Sequence, residues 1–132
     1  FKPYNDTYGH QAGDEVLIEV AKLLKRHFRR AGDRLFRLGG EEFGILLEAD
    51  SLQEGSLALE RFRHALQQLS IPHKASGYGV VTGSFGLICC NDYGQMPTAM
   101  AVYRQADQAM YEAKQNSRNC VVSRLLASKT SA

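Results

Sequence analysis

Apolar and polar positions along this chain fall into helical and strand-like periods in turn. From residue 14 to 30, Val16, Leu17, Val20, Ala21, Leu24 and Phe28 recur at helical spacing, with Glu19, Lys22, Lys25 and Arg26 on the other side. That pattern predicts an amphipathic helix. Residues 35–38 and 43–47 then read as two short strands, and Phe43, Ile45 and Leu47 alternate onto one face. A glycine pair lies between them, so they predict a β-hairpin. A second helix is predicted over 51–69 on the stripe Ala58, Phe62, Ala65, Leu66 and Leu69, with Pro72 just past its end. Residues 80–90 read as a strand and 120–123 as a closing strand. Between them Ala99, Tyr103, Ala106, Met110 and Ala113 predict a third helix from about 97 to 116. The order α-β-β-α-β-α-β fits an α+β fold with helices on one face of a mainly antiparallel sheet.

Composition narrows the class without changing this picture. At 132 residues and 44% apolar, the chain suits one domain over 1–126, followed by a C-terminal tail at 127–132. Its apolar runs are too short to span a bilayer and no signal peptide is visible, so a soluble domain with no membrane contact is expected. A net charge of +2 leaves no nucleic-acid footprint. Cys89, Cys90 and Cys120 are odd in number and lack ligand spacing, and they read as reduced thiols.

The chemistry concentrates at Gly39-Gly40-Glu41-Glu42-Phe43. Two glycines let a backbone turn sharply and lie close to a ligand, and two carboxylates directly after them can hold a divalent cation beside it. A solvated pair of hairpin carboxylates is the plain alternative. The surroundings favour a metal-phosphate site. Upstream stand Phe1-Lys2-Pro3-Tyr4-Asn5-Asp6-Thr7-Tyr8-Gly9-His10 and Gly13-Asp14. Downstream stand Thr82-Gly83-Ser84-Phe85-Gly86, Ala106-Asp107, Tyr111-Glu112-Ala113-Lys114 and Arg118-Asn119. In this order and over nearly the whole chain, these segments resemble the diguanylate cyclase family, whose GGDEF signature appears here in its GGEEF spelling.

The resemblance implies a ferredoxin-like, polymerase-palm-like fold and the condensation of two GTP into cyclic di-GMP, with Mg²⁺ or Mn²⁺. It implies that Glu41 and Glu42 are the catalytic, metal-binding carboxylates; which of them, if either, accepts the hydroxyl proton stays open. Phe1 and Lys2 would offer backbone amides to the β- and γ-phosphates, and Gly39 and Gly40 would line the nucleotide. Asn5 and Asp14 would read the base. Guanine presents N1–H and an N2 amine on one edge, which a carboxylate accepts and adenine cannot supply. Read alone, Asp14 is an acidic residue near a helix start and Asn5 a turn former. Lys114 and Arg118, four apart at the end of the third helix, would lie on one face and take the triphosphate, although cations near a helix C-terminus are favoured in any case. The family usually has glycine where this chain has Ser117. The family's first strand, ending in a metal-binding aspartate a few residues before the Phe-Lys segment, has no counterpart here. A protein truly beginning at Phe1 is therefore expected to form little product, and the same domain extended upstream to be active.

Arg30-Ala31-Gly32-Asp33 lies five residues before Gly39, the spacing of the family's inhibitory product site. Arginine can bond guanine O6 and N7 in a bidentate manner and aspartate can accept guanine N–H groups, so the pair suits cyclic di-GMP; a solvated turn salt bridge is the alternative. His10 reads as a hydrogen-bonded structural residue, and Tyr8, Tyr103 and Tyr111 as packing. The partners implied are GTP, cyclic di-GMP, a second copy in a catalytic homodimer, and sensor or other signalling domains. The location is cytoplasmic, with any membrane anchor on another domain. The competing readings are a non-catalytic GTP- or cyclic di-GMP-binding regulatory domain, paired with a sensor or phosphodiesterase domain, and a palm-like polymerase fragment. The latter is disfavoured by the lack of a basic, aromatic-lined track.

Overall fold

The computed structural model describes residues 2–39, 41–47, 49–90 and 98–126. The elements are α1 (Lys2–Tyr8), α2 (His10–His27), β1 (Arg34–Gly39), β2 (Glu42–Leu46), α3 (Leu52–Gln68), β3 (Phe85–Cys89), α4 (Ala99–Gln115) and β4 (Val121–Leu125). They form a mixed α+β chain that divides into two compact units, Phe1–Glu48 with His64–Thr82, and Ala49–Arg63 with Gly83–Ala132. The predicted tail at 127–132 and the predicted helix start at 97 lie outside the described residues.

In the first unit, α1 was not legible as a helix. It has seven residues and buries only Tyr4, too few to display a period. Gly9 ends it: its N–H bonds the Asn5 carbonyl at 2.7 Å, and its φ of 91° turns the chain directly into α2. Tyr4 and Val16 meet Val81 in a small core, with Tyr8, Ala12, Val20 and Ile71 around it. The loop carrying Val81 is folded back by the Pro72 to Val80 bridge and by Val81 N–H to Ile71 O at 2.8 Å. Residues 80–82, expected in a strand, belong to this loop, and the ladder of β3 starts at Phe85. The β1–β2 hairpin is antiparallel and pairs Leu35 with Ile45, which are half-buried, while Phe36, Leu38 and Leu46 stay exposed.

In the second unit β3 and β4 pair in parallel, from Phe85 opposite Val121 to Cys89 opposite Leu125. A parallel pair needs a crossover, and α4 supplies it, packing on both strands. Its N-terminus is capped by Thr98, whose Oγ1 accepts the Ala101 N–H at 3.1 Å. Small residues make the close packing feasible: Ala109 and Ala113 have no exposed surface, and Gly86 of β3 lies under the α4 backbone. Phe62 of α3, 1% exposed, meets Phe85 edge-on at 5.8 Å. The start of α3 is capped by Ser51 Oγ, which accepts Glu54 N–H at 3.1 Å, while the Glu54 carboxylate accepts Asp50 N–H at 3.2 Å. Cys89, Cys90 and Cys120 form no disulfide. No helix among the described residues is long and apolar enough to cross a membrane.

Candidate functional site

The hairpin tip is built by its own backbone. Gly39 pairs with Glu42, so the hairpin reverses tightly between them, with Glu41 in the turn. So short a reversal demands backbone angles that glycine supplies, and Gly39 sits at φ 144°. Between Arg37 and Gly39 the register slips by one residue, a bulge that bends the strand and re-aims the turn beyond it. Glu41 is exposed at the turn and Glu42 is half-buried at the head of β2. Among the described residues no group of three or more His, Cys, Asp and Glu could hold a metal ion. Two adjacent carboxylates are nevertheless the donor set that Mg²⁺ uses when phosphate oxygens complete its shell, so the residues fit a phosphate-bound cation rather than a protein cage.

The same unit carries Lys2, Asn5 and Asp14. Lys2 is exposed at the start of α1, and Phe1 and Gly40 lie outside the described residues. Asn5 is helical rather than a turn residue; its Oδ1 is sealed from solvent and has no hydrogen-bond partner among the described residues. Asp14 is exposed on the second turn of α2, because that helix begins at His10 and not at residue 14. Tyr4 anchors α1, stacked on Tyr8 at 4.6 Å and met edge-on by His73 at 5.1 Å. Tyr8 in turn accepts the Lys74 N–H at 3.1 Å. Burial pushes the Tyr4 phenol up and the His73 imidazole down, so both favour their neutral forms. His10, expected to be hydrogen-bonded, is exposed at the first position of α2.

Arg30 and Asp33 close the turn between α2 and β1. Asp33 N–H donates to the Arg30 carbonyl at 3.0 Å, and Arg30 N–H donates to Asp33 Oδ2 at 3.0 Å. The carboxylate thus organises backbone first. Arg34, which belongs to none of the sequence motifs, secures the turn by donating to the carbonyls of Ala31 at 2.8 Å and Asp33 at 2.9 Å. Its position one residue after the Arg30–Asp33 segment was the only signal.

In the second unit, Lys114 is half-buried in the last turn of α4, but Arg118 is not on that helix. The helix ends at Gln115, and Ser117, Arg118 and Asn119 come after it at φ 72°, 61° and 46°. The Arg118 N–H bonds the Ala113 carbonyl at 3.0 Å, the bond of a left-handed helix cap. A shared helical face for Lys114 and Arg118 is therefore replaced by a helix end and a left-handed turn. Ser117 occupies the cap position that prefers glycine. Tyr103 and Tyr111, expected to pack, are 45% and 62% exposed. Glu112 of the same motif ties α4 to β4 through an ion pair with Arg124.

Comparison with known proteins gives these positions a context. The family described as diguanylate cyclase, GGDEF domain, matches residues 1–120. Diguanylate cyclase A of Treponema denticola is 42% identical over 121 residues, covering 92% of this chain and 32% of that protein. The chain spans only 27% and 17% of two further relatives, the probable diguanylate cyclase DgcT of Escherichia coli and DgcP of Pseudomonas aeruginosa. Among solved structures, the GGDEF domain of DgcB from Caulobacter crescentus in complex with c-di-GMP aligns with a TM-score of 0.77 at 29% identity, over 92% of this chain and 70% of that one. The active GGEEF domain of a diguanylate cyclase from Vibrio cholerae aligns at 0.72 and 28% identity, over 97% and 77%. With its GGEEF hairpin in place and the family match extending over residues 1–120, this chain belongs to the diguanylate cyclase GGDEF domain family.

Proposed function

We propose that this domain condenses two GTP molecules into cyclic di-GMP, releasing pyrophosphate, as one half of a homodimer in a longer cytoplasmic signalling protein. The observation that carries this reading is the tight β1–β2 hairpin, with Glu41 in its turn and Glu42 paired with Gly39, in a chain of this family. A 3′-hydroxyl of one nucleotide attacks the α-phosphorus of the other, the bond to the bridging oxygen breaks, and pyrophosphate leaves. The protein's work in such a transfer is positioning and charge neutralisation. Glu41 and Glu42 would hold a divalent cation, Mg²⁺ or Mn²⁺, which when bound would neutralise charge at the reacting phosphates. Each subunit holds one GTP, so two facing copies are needed for both bonds.

The remaining residues bind and orient. The Asp14 carboxylate accepts guanine N1–H and N2–H. The orphaned Oδ1 of Asn5 supports a second polar contact, since a buried acceptor without a partner costs about 1–3 kcal/mol that a ligand N–H recovers. Phe1, Lys2, Gly39 and Gly40 bring backbone close to the nucleotide, and Lys114 and Arg118 neutralise triphosphate charge. Arg30 and Asp33 form a product-binding site that restrains turnover. A site built around the Asp14 acceptor rejects adenine by orders of magnitude, because the carboxylate would give up water for no donor. GTP turnover with no comparable ATP turnover, and weakened GTP affinity in Asp14→Ala, is the expected result. Equal use of the two nucleotides, or unchanged affinity in the variant, refutes the assignment; binding of GTP or cyclic di-GMP without turnover favours a regulatory domain.

A further inference from the structure

The turn after α4 is held by a side-chain network that the reaction chemistry does not itself require. Ser117, Arg118 and Asn119 are three successive residues at positive φ, and for serine and arginine this conformation is disfavoured by contact between Cβ and the backbone. Such a turn persists only where its surroundings fix it. Three elements do so here. From α4, the Ala113 carbonyl accepts the Arg118 N–H at 3.0 Å. From the residue before β3, Ser84 Oγ accepts the Asn119 N–H at 3.3 Å. From α3, Arg63 donates through one terminal nitrogen to Asn119 Oδ1 at 3.1 Å.

Arg63 is itself aimed. Its Nε and its second terminal nitrogen both donate to Glu60 Oε2 at 3.0 Å, and its side chain is only 21% exposed. The planar guanidinium is thus oriented by Glu60 on one edge and spends the remaining nitrogen on Asn119. A lysine ammonium, with one nitrogen, cannot reproduce both edges. The backbone amides of Arg118 and Asn119 are both consumed inside the turn, so the turn offers a phosphate no N–H from these two residues. What it can deliver is the exposed side chain of Arg118.

We infer that Arg63 is a positioning residue which, through Asn119, fixes the left-handed turn that delivers Arg118 to the triphosphate. The inference rests on the reading of Arg118 as a triphosphate cation. It assigns a role to Arg63 and Glu60 on α3, and it gives Ser84 of the Thr-Gly-Ser-Phe-Gly segment a task in the same turn. Asn119 suits its place on two counts, as the residue that tolerates a left-handed backbone and as one that carries the acceptor.

The test uses Arg63→Lys and Asn119→Gly, the second leaving the left-handed backbone permitted. Each is made in the unaltered protein and in an Arg118→Ala background. Binding of inorganic tripolyphosphate is measured by calorimetry, and KM and kcat for GTP by turnover. Each variant should weaken tripolyphosphate binding and raise KM by about tenfold, with kcat held within twofold, and neither should add more than twofold once Arg118 is alanine. Equal effects in both backgrounds would mean a merely structural contact and overturn the inference. So would unchanged affinity and KM in both variants, or the absence of tripolyphosphate binding by the unaltered protein. If tripolyphosphate binding shows the expected pattern while no cyclic di-GMP is made, the positioning role stands and the enzymatic reading alone falls.

Discussion

Gly86→Ala places one methyl group where β3 runs against α4. A Cβ built at residue 86 would lie 2.9 Å from the Ala109 carbonyl carbon, and closer still to the Ala106 carbonyl oxygen and the Met110 amide nitrogen. All three are helix backbone atoms, so no rotamer change can relieve the overlap. Ordinary contact lies near ~3.5 Å, and strand and helix must therefore part by roughly 1 Å. Parting them loosens the seam in which Ala109 and Ala113 are fully buried. Overpacking of this kind costs about 1–3 kcal/mol, and sometimes more when only backbone can yield. Replacing glycine recovers some chain entropy in the unfolded state, about 0.4–1 kcal/mol. The net expectation is a loss of about 1–2 kcal/mol. With a urea m-value of about 2 kcal/mol/M, the midpoint falls by about 0.5–1 M at unchanged slope. Urea unfolding monitored by far-ultraviolet circular dichroism reads this directly. Gly77→Ala is the control, since nothing lies within 4 Å of a Cβ there, and its midpoint should hold or rise slightly. A Gly86→Ala midpoint within about 0.2 M of the unaltered protein, equivalent to about 0.4 kcal/mol, refutes the close-packing argument.

Three further outcomes are expected. Ser117→Gly, which relieves a serine at φ 72°, should stabilise the protein by about 0.5 kcal/mol, read as a small rise in melting temperature; a fall would mean the serine side chain matters more than its strain. Burial holds the His73 imidazole below its ordinary value of 6.5, so the folded state takes up its proton less readily than the unfolded chain. Stability should then be full above about pH 6.5 and decline as pH falls through that value toward the folded one, and His73→Gln, compared by urea unfolding at about pH 7.5 and 5.5, should lose part of that decline. Arg30→Ala should abolish tight cyclic di-GMP binding in calorimetry and relieve product inhibition while sparing turnover at low product; undiminished product binding would return the pair to a purely structural turn.

Long apolar periods translated well from sequence to structure. The stripes of α2, α3 and α4 survive to within a few residues, and the glycine pair flanked by strands became a hairpin with its carboxylates at the turn. What escaped was decided by single residues or by distant contacts. The helix α1 rests on one buried tyrosine held by a loop some seventy residues later in the chain, a contact with no local period. Arg118 was placed on α4 because spacing four is helical, yet the helix ends at Gln115 and a left-handed turn over Ser117, Arg118 and Asn119 follows it. Val80 and Val81 have strand-forming side chains but are spent on the Pro72 bridge and the Tyr4 core. The parallel pairing of β3 with β4 was equally invisible, since strand composition carries no direction. At the candidate site the residue types were legible, whereas the bulge before Gly39 and the backbone role of Asp33 were not.

The central claim is that Glu41 and Glu42, at the turn of this hairpin, serve the condensation of GTP. The most direct measurement is chromatographic separation of the products formed from GTP and Mg²⁺ by the domain in its native sequence context, beside Glu41→Ala at equal concentration. The account predicts cyclic di-GMP accompanied by two pyrophosphates per molecule, and a fall of about a hundredfold or more in the variant, as expected on removing a group that neutralises charge at the reacting phosphate. No cyclic di-GMP from the unaltered protein, or equal rates from the two, would contradict it.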